Sequence, residues 1–143
     1  MQNRTDEFIK NDKFPYTTKS KGVLYEKCVR AYCRRRGFQI LSRNLRLSGG
    51  EIDCLAWDQT KNTLIIIEVR GRKQQKYAPS KFLSRSKVER LKKMAMILVK
   101  QKKCSVRIYL LEVIGNLPAV YLQWGIEYFP EKLGLVLRDF EVT

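Results

Sequence analysis

The sequence predicts an α/β fold with the element order αβββαβ, a mixed central sheet flanked by helices. Three observations predict it. Two segments carry apolar residues at helical spacing. Between them lie three short runs of strand type, joined by turns rich in Gly, Asp and Asn. The third run holds Leu64, Ile65, Ile66 and Ile67. It is apolar on both faces and therefore belongs in the sheet centre, covered from both sides.

Each element follows in order. Residues 1–18 are polar and aperiodic and read as a flexible arm, and residues 19–143 read as a single domain. Ser20 caps a helix that runs to Arg36, where Gly37 supplies the stop. Leu24, Cys28 and Ala31 mark its core stripe. Residues 38–45 form a strand, Ser48-Gly49-Gly50 a turn, and residues 51–57 a second strand. A polar turn at 58–62 leads to the third strand, 63–70. A basic loop, 71–83, follows. Within it Tyr77 and Phe82 stand among Lys76, Lys81 and Arg85, either as a stacking patch for unpaired bases or as the loop's own packing. Ser86-Lys87-Val88-Glu89 is a capping box opening a second helix that ends near Lys103. Val88, Leu91, Ala95 and Leu98 form its buried stripe. Residues 106–114 make a fourth strand, and 118–129 a further short β element.

Composition narrows the chemistry. The chain has 143 residues and no histidine. Ser-His and Cys-His triads, His-ligated zinc and histidine bases are excluded. Catalysis would have to use carboxylates, Lys, Arg, Tyr or Cys, and a hard metal with oxygen ligands is the natural companion. The longest apolar runs, 64–67 and 94–99, are far short of the roughly 20 residues that span a bilayer. The N-terminal stretch has no apolar core of the secretory kind. Four cysteines, with no CxxC pair, give no disulfide argument. The expected setting is cytoplasmic, with no membrane partner.

The net charge of +15 is unevenly placed. Residues 19–103 carry 23 Lys and Arg against six acids, whereas residues 104–143 carry three against five. This segregation is the electrostatic footprint of a polyphosphate ligand. A solvated face or an anionic lipid surface is the alternative, but no basic amphipathic helix carries a Trp or Phe anchor.

Against that basic background, three of the six acids fall close together. Glu51 and Asp53 open the second strand, and Glu68 with Arg70 closes the third. Period two puts Glu51 and Asp53 on one face, and Glu68 and Arg70 likewise on one face. A hairpin makes the strands antiparallel neighbours, so the three carboxylates are expected to converge. Close carboxylates repel and raise one another's pKa unless they share a cation. Mg²⁺ or Mn²⁺ is the expected cofactor, since it can activate water and polarise a phosphodiester. The bland reading is that Glu51 and Asp53 flank a turn and Glu68 pairs with an Arg. Spacing alone leaves both open. Glu26 lies on the first helix, either facing the site or pairing with Arg30.

At this point the residues resemble a known family. Gly22-x-x-x-Glu26, Gly37-Phe38-x-Ile40-Leu41-x-Arg43-Asn44, Gly50-Glu51-Ile52-Asp53, Ile67-Glu68-Val69-Arg70-x-Arg72 and Lys87 occur in that order over about two-thirds of the chain. They resemble the YraN-like family, which is similar to the archaeal-type Holliday junction resolvases of the restriction-endonuclease-like superfamily. The resemblance implies a restriction-endonuclease-like αβββαβ core and a metal-dependent, structure-selective endonuclease acting on branched DNA. It implies Asp53 and Glu68 as metal ligands, to which the hairpin geometry above adds Glu51. Glu26 would be an outer acid, with Arg70 and Lys87 completing the catalytic set. By analogy the protein is a homodimer.

Two departures stand out. The superfamily pattern has Lys where this chain has Arg70, and Arg cannot give up its proton. The fourth strand reads Arg107-Ile108-Tyr109 where the family carries Arg-Phe-Asp. A non-cleaving DNA- or RNA-binding module on the same fold is therefore the second reading. An interaction module on a basic ribonucleoprotein is a third, but it leaves the clustered acids unexplained. The basic face for nucleic acid is expected to include Arg34, Arg35, Arg36, Arg43, Arg72, Lys73 and Lys76.

Overall fold

A computed structural model describes residues 18–72, 83–116 and 134–142. The elements are α1 (Thr18–Arg36), β1 (Phe38–Leu47), β2 (Gly50–Asp58), β3 (Thr63–Arg72), α2 (Arg85–Lys102), β4 (Ser105–Ile114) and β5 (Val136–Val142). The expected order αβββαβ is present, and β5 follows it.

The five strands lie side by side in chain order. β1–β2, β2–β3 and β4–β5 are antiparallel, and β3–β4 is parallel. Short turns at 48–49 and 59–62 join the antiparallel pairs β1–β2 and β2–β3, while α2 lies in the crossover that the parallel pair requires. The Leu64–Ile67 run does occupy the central strand, and all four residues are buried.

One helix covers each face. Leu24, Cys28, Val29, Tyr32 and Cys33 of α1 pack on Cys54, Ala56, Ile65, Ile67 and Val69. Leu91, Met94 and Leu98 of α2 pack on Ile52, Leu55, Leu64, Ile66 and Leu110. Alternate residues of β3 thus feed opposite layers, as the pleat demands. No helix among the described residues is long and apolar enough to cross a membrane.

Several expectations are corrected here. α2 is capped by Ser84, not Ser86: the Ser84 hydroxyl accepts from the Lys87 N–H at 3.1 Å, and Ser84 is extended at φ −65°, ψ 155°. Ser86 already lies inside the helix, so its Ser-x-x-Glu spacing is not a capping box. The helix closes as expected at Lys103, which turns left-handed at φ 53°. α1 begins at Thr18, ahead of Ser20. β5 was not foreseen. The arm at 1–17, the aromatics Tyr77 and Phe82, and the β element at 118–129 lie outside the described residues.

Candidate functional site

The site forms where β2 and β3 part. Their ladder runs from Asp58↔Thr63 to Cys54↔Ile67. Beyond it the Asp53 carboxylate accepts from the Val69 N–H at 2.9 Å. A side chain thus takes a backbone donor at the end of the ladder, which satisfies a polar group that burial would otherwise penalise.

Alternation along β2 fails at this point. Leu55 belongs to the α2 layer and Cys54 and Ala56 to the α1 layer, yet Ile52 also belongs to the α2 layer. Strict period two would group Ile52 with Cys54. Asp53 therefore sits at a twist, and its neighbours do not share its direction. This corrects the expectation that Glu51 joins it. Glu51 stands opposite Arg46 in the β1–β2 register and forms a loose 3.9 Å ion pair with it in solvent. Among the described residues no three acidic or thiol side chains are grouped to hold one ion.

What does come together is a cleft of about 620 Å³. Glu26 enters from α1, Arg43 and Asn44 from β1, Asp53 from β2, Glu68 and Arg70 from β3, and Lys87 from α2. Asn44 has a left-handed backbone at φ 52°, a conformation Asn tolerates better than most residues. Glu26 pairs with Arg43 across the mouth, not with Arg30.

Glu68 is the centre of the electrostatics. It is only 3 % exposed. Its Oε1 receives Lys87 Nζ at 3.2 Å and Arg70 Nη2 at 3.6 Å. Its Oε2 is buried without a hydrogen-bond partner. Burial, and then the charge of Asp53, push its pKa up to about 6, while Lys87 and Arg70 pull the other way. A buried carboxylate beside another carboxylate, with one unsatisfied oxygen, has unused capacity for a cation. Two carboxylates with hard oxygen donors suit Mg²⁺ or Mn²⁺, whose remaining positions are commonly filled by water and substrate phosphate.

The sequence did not single out Glu112. It is fully buried on β4, and its Oε2 accepts from Arg72 Nη1 at 2.9 Å. The signal was present: a lone acid inside the apolar run Leu110-Leu111-Glu112-Val113 implies a buried partner. Arg72 is accordingly turned inward, with a side chain only 10 % exposed, and it braces the end of β3 instead of facing a ligand. Arg34 and Arg35 are exposed at the end of α1. Arg36 pairs with Asp139 and lies over the rings of Tyr32, Phe38 and Tyr109. Lys73 and Lys76 are outside the described residues.

Fold and cleft together define a mixed α/β protein with a buried glutamate, a half-buried aspartate and an amine at one end of its sheet. Residues 25–114 match the Uncharacterised protein family UPF0102, and the chain belongs to that family. The matched span reaches from α1 to the end of β4 and includes every described residue of the cleft except Gly22 and Val23. Relatives include a UPF0102 protein of Dictyoglomus turgidum, 34 % identical over 78 % of this chain and 95 % of its own length. Another, from Caldicellulosiruptor saccharolyticus, is 35 % identical over 64 % of this chain and 78 % of its own.

Proposed function

We propose that the protein is a metal-dependent endonuclease of the restriction-endonuclease-like kind, selective for branched DNA. The observation that carries this reading is the convergence of Asp53, Glu68 and Lys87 in one cleft. Asp53 and Glu68 would hold Mg²⁺ or Mn²⁺. When bound, the ion would polarise the scissile phosphodiester and lower the pKa of a water.

The chain's own residues supply the rest. Arg70 keeps a positive charge beside Glu68 and can hold a phosphate oxygen and offset charge developing on it. It cannot move a proton. Lys87 can, and its ammonium already stands at Glu68. An amine delivered from α2 would thus supply, from another direction, the proton-transfer group that a strand lysine provides in the superfamily pattern. Glu26 neutralises Arg43 at the cleft mouth and so tunes how strongly that wall attracts phosphate.

The test is cleavage of labelled four-way junctions, flaps and single strands with Mn²⁺ or Mg²⁺. Weak cleavage is expected from the parent. Asp53→Ala and Lys87→Met should abolish it with binding retained, and Arg70→Lys should raise it. Inert protein in every form, with tight binding throughout, supports the second reading, a module that binds without cutting. Arg70 and the absence of the family's Arg-Phe-Asp in β4 are the observations that favour that alternative.

A further inference from the structure

The sheet is wider than the helix that packs on its α2 face. Five strands about 4.8 Å apart span roughly 19 Å, and a helix with its side chains is about 10 Å across. α2 packs on core residues of β2, β3 and β4. Over β1 and β2 it leaves a groove of about 520 Å³. Leu41, Leu45 and Leu47 of β1, Trp57 of β2 and Leu98 of α2 line it, with Lys102 among its polar groups. Leu41 is 49 % exposed. The groove shares no lining residue with the cleft, so it stands apart from the proposed chemistry.

Charge and backbone say what fits there. Gln101 lines the groove, and Ile97, Lys93 and Arg90 precede it on the same flank of α2 at helical spacing. Arg90, Lys93 and Lys102 are exposed, and α2 carries a single acid, Glu89. The bank of the groove is therefore basic. A second copy of a chain with net charge +15 would bring like charges together here. Strand addition is also disfavoured. β1 is an edge strand, but a bulge between Ile40 and Ser42 interrupts its register and Asn44 is left-handed at φ 52°. A phosphate backbone would use the cations and leave the apolar floor in water. An acidic helix with one apolar stripe matches both. We propose that the groove docks an acidic amphipathic helix of a partner protein beside α2. Its apolar stripe lies on Leu41, Leu45 and Trp57, and its carboxylates face Lys93 and Lys102.

The probe is a fluorescein-labelled peptide as long as α2, 18 residues, with Leu at i, i+3, i+4 and i+7 spacing and Glu and Ala elsewhere. Two controls accompany it: the same composition scrambled so that no stripe forms, and a version with Lys in place of Glu. Anisotropy is read with the full chain at about 0.15 M salt, where distant charges are screened. The striped acidic peptide should bind saturably, the scrambled one at least about tenfold more weakly, and the Lys version not at all. Leu41→Glu and Lys102→Glu should each weaken binding about tenfold with Tm unchanged, the first through the apolar floor and the second through the rim. Equal binding of striped and scrambled peptides overturns the proposal, because charge alone then explains it, as for a nucleic-acid surface. So does the absence of saturable binding, or binding that neither substitution weakens. Sedimentation covers the remaining occupant: a parent dimer that Leu41→Glu converts to monomer places a second copy in the groove and overturns the proposal as well.

Discussion

At the scale of single residues, Glu68 turns the cleft into a measurable stability effect. Its folded pKa of about 6 lies above its ordinary 4.5. Between those values the folded protein holds a proton that the unfolded chain has released. The contribution to stability is fully present below about 4.5 and is lost as pH rises through about 6. In chelator, the parent should therefore gain stability from this group as pH falls from neutrality, by about 1–2 kcal/mol. Glu68→Gln should flatten that part of the profile of Tm against pH. An equal rise in parent and variant would show that the gain comes from other groups. Added Mn²⁺ should stabilise the parent more at pH 7 than at pH 5, because protonation and the cation compete for the same carboxylate.

At the scale of elements, capping separates two serines that look alike in the sequence. Ser84→Ala removes the acceptor for the Lys87 N–H and should cost about 1 kcal/mol. Ser86→Ala should be close to neutral, since Ser86 is inside the first turn. Thermal unfolding of the two variants measures the difference. The pair also shows what the sequence conceals. Ser-x-x-Glu spacing identifies a possible cap, but which serine lies outside the helix depends on how the preceding chain enters it. The central strand was legible because four consecutive apolar residues can be buried only between two layers. Two other elements were less so. β5 has the pattern Val-Leu-Arg-Asp-Phe-Glu-Val, with polar residues that pair across layers. Asp139 accepts from the Tyr32 hydroxyl at 2.9 Å and pairs with Arg36, both of α1. Such partners lie over a hundred residues away and leave no local signal. Glu51 was misplaced for a different reason: period two describes a regular strand, and β2 loses its alternation at Asp53.

At the scale of the whole molecule, the charge must be sorted into what is exposed and what is already paired. Of the Arg residues expected to face nucleic acid, Arg72 is tied to Glu112 inside the protein, and Arg36 and Arg43 have carboxylate partners. Arg34 is exposed at the end of α1, and α2 adds Arg85, Arg90, Lys92, Lys93, Lys100 and Lys102 on its outer side. Binding to DNA should fall steeply with salt, with a log-log slope of about −4 or steeper, because each phosphate neutralised releases condensed counterions at roughly 0.9 per contact. Arg34→Ala should make the slope shallower by about 0.9 without changing Tm. Arg72→Ala should do the reverse. It leaves Glu112 as a buried, unpaired charge, a loss of about 3–5 kcal/mol in stability, while the slope of whatever remains folded stays unchanged. The two variants remove the same side chain type, so their contrast isolates placement. A salt titration by fluorescence anisotropy, alongside unfolding of each variant, reads both quantities. If Arg72→Ala weakens binding with a shallower slope and an unaltered Tm, Arg72 reaches phosphate from its buried position and its pairing with Glu112 is dispensable.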